Sequence, residues 1–285
     1  MKNIRIIPRL DIKGPNLVKG IHLEGLRVLG SPEDFAEHYY NAGADELIYM
    51  DVVASLYGRN GLMDIIEKTA KKIFIPLTVG GGLRTLEDIK NVLRAGADKV
   101  SLNTIAIKNP NIILEASRRF GSSTIVVSIE AIKQNDGKYM AFIENAREST
   151  GVEVFSWAKK VEELGAGEIL LTSVNNEGTG SGYDIELTRK VSELVSIPVI
   201  ANGGAGELED VVNVIKQGKA DAVSLASMVH YDYVKKSMVN GSLLKNQAEG
   251  NIDFLKFGKI SEKIETSGIE EIKFYLKDKG INCRK

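Results

Sequence analysis

PLTVGGGLRTLEDIKNVLRAGADKVSLNT (76–104) and PVIANGGAGELEDVVNVIKQGKADAVSLAS (198–227) are two versions of one stretch, set 122 to 123 residues apart. Each reads as an apolar run, a glycine turn, a segment with apolar positions at helical spacing, a second turn and another apolar run: strand, helix, strand. A similar offset relates GADEL (43–47) to GAGEI (165–169), and IIPRLDIK (6–13) to IVVSIEAIK (125–133). Repetition on that scale describes a chain of two related halves, about 1–121 and 122–285.

Working outward, eight apolar, β-rich runs recur: Ile4–Ile12, Glu46–Val52, Ile73–Val79, Lys99–Asn103, Thr124–Glu130, Glu168–Ser173, Ile197–Ala201 and Ala222–Ala226. Helical patterns such as SPEDFAEHYYNAG (31–43) lie between them. Runs that are apolar almost throughout belong to parallel strands covered on both sides. Eightfold alternation therefore predicts an α/β fold, a parallel (βα)8 TIM barrel made of two half-barrels, as one domain over 1–285. Residues 231–266 are too long and too mixed for an ordinary connection, so they are expected to be an insertion in the last βα loop, before a final helix in SGIEEIKFYLKDKG (267–280).

The 285 residues are 43% hydrophobic and 26% charged, enough for a large core, and 37 basic against 38 acidic side chains leave a net charge of −1. No global field recruits nucleic acid or an anionic membrane surface. The apolar start is broken by Arg9 and Asp11 and reads as a strand rather than a leader, and no run reaches the roughly 18 apolar residues of a membrane span. With Cys283 as the single cysteine an intramolecular disulfide is excluded, and a cytoplasmic location is expected.

Glycines at 80–82 and 203–204 each follow a strand and precede a helix, where backbone N–H groups can approach an anion without a Cβ in the way. Small polar residues follow one strand later, Asn103 and Thr104 in one half and Ser227 in the other. Two such cradles across a barrel mouth imply a substrate phosphorylated at both ends. Asp11 and Glu130 end the first and fifth strands, facing each other in the two-half scheme, and a carboxylate pair suits proton abstraction and donation. The competing reading has them cap helices or pair with Lys13 or Lys19. Asp51, Thr172, Ser173, Asn175 and Glu177 also lie at strand ends, where barrel enzymes build their sites. His22, His38 and His230 share no ligand spacing, so neither metal nor cofactor is expected. His38 is placed on the surface, whereas Tyr39, Tyr40 and Trp157 should pack helix against barrel.

RIIPRLDIK, VKG, ADELIYMDVVAS, VGGGLRTLED, GADKVSLNT, GAGEILLTS, GYDIELTR, IPVIANGGAG and EIKFYLKDKGIN, in that order, resemble the family of cyclase subunits of imidazole glycerol phosphate synthase, HisF. The resemblance spans nearly all of the chain outside 231–266. It implies a barrel that takes ammonia from a HisH-like glutaminase docked at its amino-terminal face. The ammonia converts a ribulosyl aminoimidazole carboxamide bisphosphate to imidazole glycerol phosphate and an aminoimidazole carboxamide ribotide.

Carried over by position, Asp11 and Glu130 would be catalytic, and Lys19 would belong to a mobile first loop over the substrate. Gly82, Asn103 and Thr104 would hold one phosphate, and Gly178, Gly203, Gly204, Ala226 and Ser227 the other. Arg5, Glu46, Lys99 and Glu168 would form the charged ammonia entrance, a ring that can also plug the barrel floor, with Asp98 beside it at a partner-contact position. The chain departs from the family pattern at the mouth. Arg9 replaces a small residue, Gly14-Pro15-Asn16 replaces D-G-R, Glu130 stands for an aspartate, IENAREST (143–150) replaces a glycine- and lysine-rich fifth loop, and NNEGT (175–179) replaces D-R-D-G-T. Two further readings follow from those changes: a paralogue supplying ammonia for amidino-sugar modification of surface polysaccharides, and a non-catalytic scaffold for a glutaminase. The isomerase relative of the same barrel family fits less well, because GAGEILLTS and the four floor charges resemble the cyclase.

Overall fold

In the first strand, β1 (Arg5–Lys13), alternation sends Arg5, Ile7, Arg9 and Asp11 to one side and Ile6, Leu10 and Ile12 to the other. The second set joins the large core between strands and helices, whereas Ile7 joins a separate cluster with Ile48, Met50, Val126, Leu170, Ile200 and Ala222 inside the barrel. A strand buried on both sides in this way is expected of a parallel strand covered on both faces, and here the charged Arg9 and Asp11 are buried with it.

The computed structural model describes residues 3–53, 60–239 and 263–284. The remaining strands are β2 (Asn16–Ile21), β3 (Glu24–Gly30), β4 (Leu47–Asp51), β5 (Leu77–Gly80), β6 (Lys99–Leu102), β7 (Ile125–Lys133), β8 (Tyr139–Ile143), β9 (Glu148–Glu153), β10 (Glu168–Ser173), β11 (Val199–Asn202) and β12 (Ala222–Leu225). Eight of them, in the order β1-β4-β5-β6-β7-β10-β11-β12, pair in parallel and close on themselves through β12 and β1. This is the predicted (βα)8 barrel.

Around it stand α1 (Pro32–Asn41), α2 (Asn60–Ala70), α3 (Leu86–Arg94), α4 (Thr104–Lys108), α5 (Asn111–Phe120), α6 (Val154–Glu163), α7 (Ile185–Leu194), α8 (Leu208–Lys216), α9 (Ser227–Val239) and α10 (Ile269–Asp278). Among the described residues no helix is long and apolar enough to cross a membrane.

The aspartates of GAD (43–45 and 96–98) and of GKAD (218–221) have a structural role. Asp45, Asp98 and Asp221 each accept the backbone N–H at the start of a neighbouring strand, from Ile6 (2.7 Å), Leu77 (2.9 Å) and Val199 (2.7 Å). In the fourth copy, GAGE, a Cβ on Gly167 would lie 2.2 Å from the Ser122 carbonyl oxygen, so no side chain fits there. The two long repeats match at their helix starts as well. Asp88 in α3 accepts from the backbones of Arg84 and Thr85, and Asp210 in α8 accepts from Gly206 and Glu207, which pins each glycine turn to the helix that follows.

Four strands were not foreseen. Antiparallel hairpins extend β1 (β2 and β3) and β7 (β8 and β9), with Asp11 opposite Val18 and Glu130 opposite Phe142. Their outer members, β3 and β9, are only partly buried and carry Gly and Glu among few apolar residues, and such strands read as loop. The insertion also begins later than residue 231, because Tyr231–Val239 continue α9. That helix buries His230, Asp232 and Ser237 beside Met228, Val229 and Val234, which hides its helical pattern. Residues 240–262 lie outside the described ones; by Glu265 the chain is back against the barrel, donating to the Gly206 carbonyl at 2.7 Å.

Candidate functional site at the barrel mouth and floor

At the amino-terminal end, four charges, three from the starts of β1, β6 and β10 and Glu46 just before β4, form a closed ring. Arg5 donates to Glu46 (2.8 Å) and Glu168, and Lys99 donates to Glu46 (2.8 Å) and Glu168 (3.2 Å). Burial would raise the Glu46 carboxyl, but Arg5 and Lys99 overcome it and hold the group below its ordinary range. Arg5 is held above its ordinary value by the same carboxylates against burial. Beyond the ring toward the mouth comes the apolar interior cluster. Asp98 is exposed at this end, with one oxygen engaged by Leu77.

At the carboxyl-terminal end, Asp11 pairs with neither Lys13 nor Lys19. Its partner is Arg9, whose Nε donates to Asp11 Oδ1 at 2.9 Å, and both side chains are buried. The backbone of Arg9 is held in turn. Its carbonyl oxygen lies past the last residue paired with β12 and accepts from His230 Nε2 (2.9 Å), while Tyr39 OH donates to His230 Nδ1 (2.6 Å). That tautomer follows because a carbonyl only accepts. Burial drives His230 down to about 3, so it stays neutral. His38, expected on the surface, is half-buried and stacked on Tyr233. Tyr39 and Trp157 do pack between helix and barrel, the latter with its indole N–H unpartnered.

Glu130 meets a different environment. Its carboxyl is buried, and Oε2 accepts the Ala146 N–H at 2.7 Å. Burial raises it to about 7, opposed in part by that N–H, by Arg9 and by Asn103. It lines a cavity of about 240 Å³ together with Asp51, Gly82, Asn103 and Thr104. Gly81 in the wall has a φ of +96°, and a Cβ there would stand 2.2 Å from the Asp51 carbonyl oxygen. Ser101 Oγ and Asn103 Oδ1 beside this cavity are buried without a hydrogen-bond partner. Arg84, Lys108, Glu144 and Asn145 are the other charged or amide side chains of the lining and were missed. Lys108 had a visible signal, one helical turn after Thr104.

Gly178, Gly203, Gly204, Ala226 and Ser227 gather around a second, smaller cavity of about 20 Å³ with Glu177. Gly204, at φ +117°, would place a Cβ 2.0 Å from the Gly182 carbonyl oxygen. Lys19 lines neither cavity. It is buried, with Nζ on Glu177 (2.6 Å), and Glu177 also receives the backbone N–H of His22 and of Leu23, which ties the β2–β3 hairpin to the loop after β10. Thr172 is likewise wall, accepting from Asn202 at 3.1 Å.

A family described as histidine biosynthesis protein matches residues 5–235, a span holding every candidate site residue. The chain belongs to that family. Among curated relatives, the protein named imidazole glycerol phosphate synthase subunit HisF from Legionella pneumophila is 58% identical over 210 residues, 74% of this chain and 99% of the relative. Proteins of the same name from Alkaliphilus metalliredigens and Methanocaldococcus jannaschii are 45% and 49% identical, covering 84% and 80% of this chain and 95% and 90% of their own. This member of the histidine-biosynthesis family thus keeps a fully paired floor beneath a mouth with two glycine-walled cavities.

Proposed function

We propose that this chain is the HisF-type cyclase subunit of an imidazole glycerol phosphate synthase. It would use ammonia to convert the ribulosyl aminoimidazole carboxamide bisphosphate to imidazole glycerol phosphate and the aminoimidazole carboxamide ribotide. The observation that carries the reading is the placement of Asp11 and Glu130 at the ends of β1 and β7, with a glycine-walled cavity in each half of the barrel. Gly82, Asn103 and Thr104 hold one substrate phosphate, assisted by Arg84 and Lys108, and Gly178, Gly203, Gly204, Ala226 and Ser227 hold the other. Asp51 and Thr172 shape the walls between. A carboxyl near 7 is populated in both protonation states at neutral pH, so Glu130 both gives and takes a proton, while Asp11, oriented by Arg9, is its counterpart. Asp11 is buried and pairs with Val18 of the β2–β3 hairpin, whose Lys19 is buried as well.

Ammonia enters through the ring of Arg5, Glu46, Lys99 and Glu168 from a HisH-like glutaminase seated on the amino-terminal face, in the cytoplasm. The decisive assay supplies ammonium directly and follows loss of the ribulosyl substrate. Turnover is expected. An inert, folded protein would defeat the cyclase reading in favour of amidino-sugar modification or a scaffold. For the partner, co-elution with the glutaminase at micromolar concentration is expected, and two separate peaks would argue against it.

A further inference from the structure

The loop between β8 and β9 holds three successive non-glycine residues in the left-handed region: Glu144 (φ 55°), Asn145 (φ 57°) and Ala146 (φ 62°). Each costs roughly 1–2 kcal/mol relative to right-handed backbone. A run of that kind persists only where its surroundings determine it. Here each residue is tied to a different strand end. Glu144 N–H points to Thr104 Oγ1 after β6 (3.4 Å), Asn145 Nδ2 donates to the Val52 carbonyl after β4 (2.8 Å), and Ala146 N–H donates to Glu130 Oε2 on β7 (2.7 Å). Glu144 and Asn145 also line the cavity that Glu130 lines.

We propose that the turn Glu144-Asn145-Ala146 is a positioning element that fixes the carboxyl group of Glu130 in the mouth, with the Asn145 side chain as its anchor. This deepens the cyclase reading and rests on it for the reaction Glu130 serves. An aspartate at 130 would withdraw the carboxylate by about 1 Å and stretch the 2.7 Å contact with Ala146 to about 3.7 Å, beyond hydrogen-bonding range. The longer side chain and the rebuilt fifth loop are therefore one matched change.

Donation from Ala146 favours the ionised carboxyl and opposes burial. The other groups facing Glu130 are Arg9 and Asp11 from β1, Asn103 after β6, and, around the shared cavity, Asp51, Arg84, Lys108 and Glu144. None of these is altered by a change at Asn145 except through the turn.

Asn145→Gly tests the proposal, because glycine adopts a positive φ freely and removes only the anchor. Two readouts are taken on the full chain: the 13C carboxyl titration of Glu130, identified by its loss in Glu130→Gln, and ammonium-driven turnover. The variant should move the Glu130 midpoint upward and lower kcat about tenfold with KM little changed. In a Glu130→Asp background, where the contact is already out of reach, the same substitution should change kcat less than twofold. An unchanged midpoint, or a full tenfold loss in both backgrounds, would overturn the positioning role. If the parent does not turn over the ribulosyl substrate, the cyclase reading alone fails, and the carboxyl titration still decides this inference.

Discussion

The two ends of the barrel are built from the same side chains to opposite effect. At the floor, two cations and two carboxylates form a closed ring in which every charge has two partners. At the mouth, Arg9 and Lys19 are each committed to one carboxylate, Asp11 and Glu177, and Glu130 is left with a backbone N–H instead of a cation. Arg5 and Lys99 hold Glu46 below its ordinary range, whereas burial, only partly offset by the Ala146 N–H, Arg9 and Asn103, raises Glu130 to about 7. Complete pairing makes a closed ring of charges; incomplete pairing leaves a buried carboxyl that is populated in both protonation states.

The strongest way to break this contrast is at the mouth. Asp11→Asn and Glu130→Gln each remove a proton-transfer group and little volume, and each should lower ammonium-driven turnover by about 10²–10⁴-fold while bisphosphate binding persists. A loss of binding in parallel with rate would show that the pair holds substrate instead.

The same Glu130→Gln exchange carries a stability signature of the opposite sign. Because the folded-state value is raised from 4.5 to about 7, the stability this carboxyl lends is complete below about pH 4.5 and is lost as pH rises through 7. The glutamine variant never ionises. It should match the parent in thermal melts at acid pH and exceed it by about 3 kcal/mol at pH 8. Equal stability at both pH values would place Glu130 in a more polar setting.

At the floor, Lys99→Met leaves Glu46 and Glu168 with Arg5 alone, and a loss of about 2 kcal/mol is expected for a partly buried ring. Ammonium-driven turnover should survive while glutamine-driven turnover in the complex falls. Equal losses on both nitrogen sources would remove the gate role. The smallest effect concerns the second cavity. Gly204→Ala forces a Cβ against the Gly182 carbonyl and should weaken bisphosphate binding about tenfold, read by calorimetry, with the response to ammonium unaltered.

The barrel, its eight strands and both glycine turns were legible in the sequence because they rest on local rules. Continuous apolar runs encode strands buried on both sides, and GAD and GKAD encode aspartates that close the strand starts. Asp11 and Glu130 could be placed from where their strands end, whereas the four floor charges were singled out by the family resemblance. What those charges touch does not follow from either. That Asp11 meets Arg9 rather than Lys13 or Lys19, that Lys19 is spent on Glu177 158 residues away, and that His230 from α9 grips the end of β1 depend on contacts between elements far apart in the chain. The outer strands of the hairpins after β1 and β7 carry no apolar signature, and the short inner strands β2 and β8, though mostly buried, were read as loop. The left-handed turn on Glu130 was invisible because non-glycine residues take that conformation only when tertiary partners hold them there.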